Sequence, residues 1–66
     1  TQLYYLKVDN NEYGYLNLDL DDNTWIFGPK QQNNGFQNRF TKEEITDMNE
    51  GLWGIAVPVE EDDRRC

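Results

Sequence analysis

From residue 13 the chain reads Tyr-Gly-Tyr-Leu-Asn-Leu-Asp-Leu, an apolar and polar alternation of period two. Successive side chains of a strand point to opposite faces, so Leu16, Leu18 and Leu20 are predicted to line one face and Tyr15, Asn17 and Asp19 the other. A half-buried strand has no stability by itself, and the rest of the chain must supply its neighbours. Residues 3–8, Leu-Tyr-Tyr-Leu-Lys-Val, are dense in strand formers and give a first strand. Asp21-Asp22-Asn23 is predicted to close a hairpin onto a short third strand over residues 24–27, because Asp and Asn bond locally and tolerate left-handed backbone. The polar run 30–35 is a loop whose Asn34-Gly35 can make a tight turn before a short fourth strand within residues 36–40.

One helix start is written twice. Thr41-Lys42-Glu43-Glu44 matches the capping box, in which a hydroxyl and a carboxylate each satisfy a free backbone N–H. Phe40 before the cap and Ile45 after it match the hydrophobic staple that accompanies the box. The helix is predicted to run about two turns to Gly51 and to depend on packing against the sheet. Residues 52–59 then read as a last strand with Trp53, Ile55, Val57 and Val59 on one face and Pro58 at its edge or end. Trp53 is expected to fill the space between helix and sheet. The fold class is therefore α+β: a small antiparallel sheet of four to five strands with one short helix packed on it. Residues 1–60 form the single domain and residues 61–66 a charged tail that frays.

A chain of 66 residues buries little, and its core alone supplies about 3–5 kcal/mol. No intrachain disulfide can help, since Cys66 is the only cysteine. That usage fits a reducing compartment. With no histidine and one thiol, no metal and no cofactor are expected. Self-association, as a homodimer, or a partner is the expected support. Asp and Glu number 13 against 6 Lys and Arg, a net charge of -7. Such a field disfavours direct nucleic-acid binding and anionic membranes and attracts basic protein surfaces. No apolar stretch is long enough to span a bilayer, and residues 1–8 lack the pattern of a secretion signal, so a cytoplasmic setting is expected.

Chemistry finds little to work with. Serine and histidine are absent, which removes the common nucleophile and its base, and the five glycines form no phosphate loop. Asp19, Asp21 and Asn23 have the opening spacing of a calcium loop, but Thr24 and Lys30 stand where glycine and glutamate are needed. Asp9, Asn11 and Gly14 fail likewise at Tyr13 and Leu20. Glu43 and Glu44 suit a helix N-terminus, and Glu60 to Asp63 a solvated run. The chain is read as non-enzymatic.

The aromatic residues give the sharper expectation. If the leucines of the second strand face the core, Tyr13 and Tyr15 project from the other face, where Tyr5 and Trp25 can join them. Asp19, Asp21 and Asp22 would ring this patch, and aromatics inside an acidic rim suit a partner with a basic surface. The competing reading is that both sheet faces are covered in a dimer, or that the aromatics simply guard a thin sheet.

The run Phe-Thr-Lys-Glu-Glu-Ile from Phe40, then Trp53 and Ala-Val-Pro-Val-Glu-Glu to Glu61, resembles the C-terminal segment of small proteins of unknown function encoded by phages and prophages of Gram-positive bacteria. The tyrosine-rich first strand is similar as well. The resemblance covers about a third of the chain and implies an accessory phage gene product in the host cytoplasm. Several such proteins block a host enzyme, defence nucleases included. The expected function is thus non-catalytic inhibition of a host defence or nucleic-acid-processing protein, with acids meeting a basic groove or imitating phosphates. The alternative is a structural or self-association module.

Overall fold

The computed structural model describes residues 1–64, so Cys66 and the end of the expected tail lie outside the described residues. Five strands form two antiparallel sheets: β1 (Tyr4–Leu6) pairs with β5 (Ala56–Pro58), and β2 (Tyr15–Asp19) lies between β3 (Thr24–Gly28) and β4 (Phe36–Gln37). Single antiparallel bridges from Lys7 to Tyr15 and from Tyr4 to Phe40 tie the first sheet to the second and to the segment leading into the helix. The mixed α+β class read from the sequence holds, with the strands divided between two sheets.

The β2–β3 hairpin forms for the stated reasons. Asn23 takes left-handed backbone at φ 55°, its N–H donates to the Asp19 carbonyl at 2.7 Å, and the Asp19 carboxylate accepts the Asp21 N–H at 3.0 Å. Gly35, at φ 86°, makes the turn into β4, and its carbonyl accepts the Leu20 N–H. Leu20 therefore falls in the turn and is exposed, while Leu16 and Leu18 reach the core as predicted.

Helix α1 (Lys42–Met48) starts at Thr41 with both halves of the capping box made: Glu44 N–H to Thr41 Oγ1 at 3.1 Å and Thr41 N–H to Glu44 Oε1 at 2.9 Å. The staple is made too, since Phe40 and Ile45 are both fully buried with Leu6 in the main core. Tyr4, Leu16, Leu18, Leu52, Trp53, Ile55 and Ala56 pack around these three.

The last predicted strand is corrected over its first half. Asn49 ends α1 and at once caps a 3-10 helix (Glu50–Ile55), accepting the Gly51 N–H at 2.9 Å, and extended chain resumes only at Ala56. Gly51 and Gly54 have no side chain to favour a pleated conformation, and a local cap outcompetes weak strand propensity. Trp53 is carried on this turn, meeting Tyr4 edge to face at 4.8 Å with the Lys42 ammonium over its ring.

The tail is corrected as well. Glu61, Asp62 and Asp63 belong to a short helix, α2 (Val59–Asp63), that starts where the Val59 N–H donates to the Leu3 carbonyl. Its three acids in the first turn suit the dipole.

The loop between β1 and β2 folds back on Gly14, whose carbonyl accepts the Val8 N–H at 2.7 Å. A Cβ at Gly14 would lie 2.3 Å from the Asp9 carbonyl oxygen, a backbone atom that cannot swing away. Gly14→Ala is expected to cost about 2 kcal/mol and to lower the thermal midpoint by about 10 °C. A midpoint within a degree or two of the parent would show that this loop opens without disturbing the fold.

Candidate functional site

Both faces of β2 are covered, and this decides the fate of the expected patch. Cross-strand partners share a face, so Leu16 with Phe27 and Leu18 with Trp25 form one side, while Tyr15 with Gly28, Asn17 with Ile26 and Asp19 with Thr24 form the other. Trp25 lies on the leucine side, its ring 5.8 Å from that of Phe40. Tyr5 and Tyr15 are buried, packed edge to face at 5.2 Å. An outward patch of Tyr5, Tyr15 and Trp25 does not exist: Tyr5 and Tyr15 point inward, and Trp25 belongs to the opposite face. Tyr13 is exposed in the loop before β2, Asp21 and Asp22 are exposed in the hairpin turn, and half-buried Asp19 is occupied in shaping that turn.

What buries the two tyrosines is a polar cluster assembled from five elements. The Tyr15 hydroxyl donates to Asp62 Oδ2, Lys7 Nζ reaches Asp62 Oδ1 at 2.9 Å, and Lys30 Nζ lies 3.2 Å from Asp62 Oδ2 and 3.0 Å from Asp63 Oδ1. Tyr5 donates its hydroxyl proton to Asp63 at 3.1 Å and accepts from Arg39 Nη2 at 3.1 Å. The same cations cover the rings, Lys7 over Tyr15 and both Lys30 and Arg39 over Tyr5. Beside it Asn17 and Asn38, both buried, bond each other and the carbonyls of Pro29 and Gln31.

The ionisation of this cluster argues for structure over catalysis. Burial raises the Asp62 pKa, but the bonds from Tyr15, Lys7 and Lys30 outweigh it and hold the carboxyl at about 2. Burial and then the bond to Asp62 raise Tyr15, and burial, against Arg39, raises Tyr5. Lys7 is raised by its bond to Asp62 and Lys30 by its bond to Asp63, each against burial. Tyr5, Lys7, Tyr15, Lys30 and Asp62 are thus each held more firmly in the charge state they already have at pH 7, whereas acid and base work needs a pKa near the working pH.

The pH dependence of stability follows from Asp62. Its folded pKa of about 2 lies below the ordinary carboxylate value, so its contribution is present above about pH 4 and is lost as pH falls from there toward 2. The difference is worth about 2 kcal/mol. Urea midpoints measured from pH 6 to pH 2 should fall more steeply for the parent than for Asp62→Asn. Parallel curves would remove Asp62 from the account.

The sequence gives no sign of this cluster. Its members stand at positions 5, 7, 15, 30, 39, 62 and 63, and only the pairing of Lys7 with Tyr15 and the docking of α2 bring them together.

The structure also exposes residues outside the expected patch. Strand β3 is a sheet edge, and Trp25, Ile26 and Phe27 on it are 37%, 45% and 65% exposed. Among the described residues no His, Cys, Asp and Glu side chains gather as a metal-ligand set, and no helix is long and apolar enough to cross a membrane. No known protein family, curated protein or solved structure matches the chain.

Proposed function

We propose that the protein is a non-catalytic accessory protein of phage type that binds a host protein through the partner's basic surface and blocks it in the host cytoplasm. The observation that carries this reading is how the cations are spent. Lys7, Lys30 and Arg39 are drawn into the cluster around Asp62, Asp63 and Tyr5, and outside it the described residues hold only Lys42 and Arg64 as Lys or Arg side chains. Asp21, Asp22, Glu43, Glu44, Asp47, Glu50, Glu60 and Glu61 all remain exposed. The outer surface is therefore more one-signed than the net charge implies. It suits a groove on a defence or nucleic-acid-processing enzyme that normally receives phosphates. The exposed turn Asp21-Asp22, with Trp25 on the strand that follows it as the candidate for apolar contact, is the proposed centre of binding.

Affinity capture from lysate of a Gram-positive host, with the chain as bait, tests the reading. A captured enzyme should lose activity stoichiometrically, bind more weakly as salt rises, and bind about fivefold more weakly to Asp21→Asn/Asp22→Asn. Failure to recover an inhibited enzyme, or salt-insensitive binding, would sink it.

A further inference from the structure

We propose that the free edge of β3 pairs antiparallel with β3 of a second copy of this chain, joining two three-stranded sheets into one of six strands. Natural sheet edges are guarded by lysine, proline, a bulge or a covering segment. Residues 24–28, Thr-Trp-Ile-Phe-Gly, carry no charge and no proline, all but Gly28 are exposed, and among the described residues β3 has only β2 as a ladder neighbour. The sheet's other edge, β4, is two residues long and offers no comparable template.

The sequence of β3 is self-complementary in one register. Alternate residues of an edge strand direct their N–H and C=O groups outward, so two copies can pair only residues of the same parity. Centring the two-fold axis on Ile26 pairs all five strand residues. Trp25 of each copy then lies opposite Phe27 of the other on the leucine side, and Ile26 faces Ile26 on the other side. Aromatic pairs and β-branched pairs are the cross-strand combinations that stabilise sheets. Shifting the axis to Trp25 or Phe27 leaves one or more of these apolar residues without an apolar partner.

Charge does not oppose the same register. The turn Asp21-Asp22 of each copy runs alongside Lys30-Gln31 of the other, where Lys30 is already engaged by Asp62 and Asp63 of its own chain. The two acidic turns are held about 26 Å apart, eight residue steps at the rise of a strand, beyond the reach of mutual repulsion at physiological salt. A core of this size also gains from oligomerisation. The pairing needs no host partner, so its test and that of the inhibitory reading fail separately.

Sedimentation of the full chain tests it, aided by a charge swap at the axis. The wild type should move from monomer to dimer as its concentration rises to about 1 mM. Ile26→Lys and Ile26→Glu each place like charges opposite one another and should weaken the dimer at least about tenfold, while an equimolar mixture of the two should associate again. Phe27→Lys, at a more exposed position, gives a second disruption should either Ile26 variant lose its fold by circular dichroism. A wild type that stays monomeric, variants that dimerise as the wild type does, or a mixture that fails to reassociate would each overturn the proposal. A monomer whose edge is occupied only by a captured partner's strand counts as the first of these.

Discussion

Asp62→Ala is expected to lower the unfolding free energy by about 3 kcal/mol, enough to leave a large share of so small a protein unfolded at 25 °C. Asp62 is 2% exposed and accepts from Tyr15, Lys7 and Lys30 together. Removing one partner of a buried ion pair costs about 3–5 kcal/mol, because the groups left behind stay buried without compensation. Here the cost falls at the lower end of that range: the side chains of Lys7 and Lys30 are 17% and 32% exposed and can recover some hydration. The Tyr15 hydroxyl has no such escape. Asp62→Asn keeps an acceptor for Tyr15 and should lose about half as much. Urea unfolding followed by tryptophan fluorescence measures all three. An alanine variant within about 0.5 kcal/mol of the parent would mean that α2 docks without contributing to the fold.

Phe40→Ala should cost still more, about 4 kcal/mol. The ring is fully buried with Leu6 and Ile45, approaches Trp25 at 5.8 Å, and serves as the staple residue of α1. Three structural units thus lose a shared contact: the β1 segment bridged at Tyr4, the face of β3 carrying Trp25, and the first turn of the helix. Small domains close such cavities poorly, since few side chains are available to move inward. Phe40→Leu, which conserves more volume, should cost about 1.5 kcal/mol. Near-equal losses from the two substitutions would show that the site collapses and that packing around the ring is loose.

These two positions also separate what was legible in the sequence from what was not. Phe40 was readable, because the staple and the capping box depend on neighbours within five residues and on bonds that local geometry alone can make. The β2–β3 hairpin was readable for the same reason: Asp and Asn shape their own turn. The 3-10 helix at residues 50–55 was misread because the apolar run there looks alike as strand and as short helix, and the Asn49 cap that selects the helix competes by only a fraction of a kcal/mol.

Asp62 was not readable. A run of Glu-Glu-Asp-Asp-Arg-Arg is a solvated tail by every local rule, and residues 59–63 dock as a helix that buries Asp62 only because Lys7, Lys30, Arg39 and two tyrosines wait on other elements. The aromatic patch failed for a linked reason. Alternation along β2 correctly divides its residues between two faces, but it cannot say whether the second face meets water or α2, since that depends on a partner more than forty residues away.

The sequence by itself determined the secondary elements built from short-range bonds, the acidity of the surface and the small size of the core. Tertiary structure alone decided that Lys7, Lys30 and Arg39 turn to the cluster around Asp62, that Tyr5 and Tyr15 are buried, and that β3 is left as the bare edge. Those outcomes rest on contacts between distant segments, whose free energies arise only when the chain has closed its loops and no single segment can carry their sign.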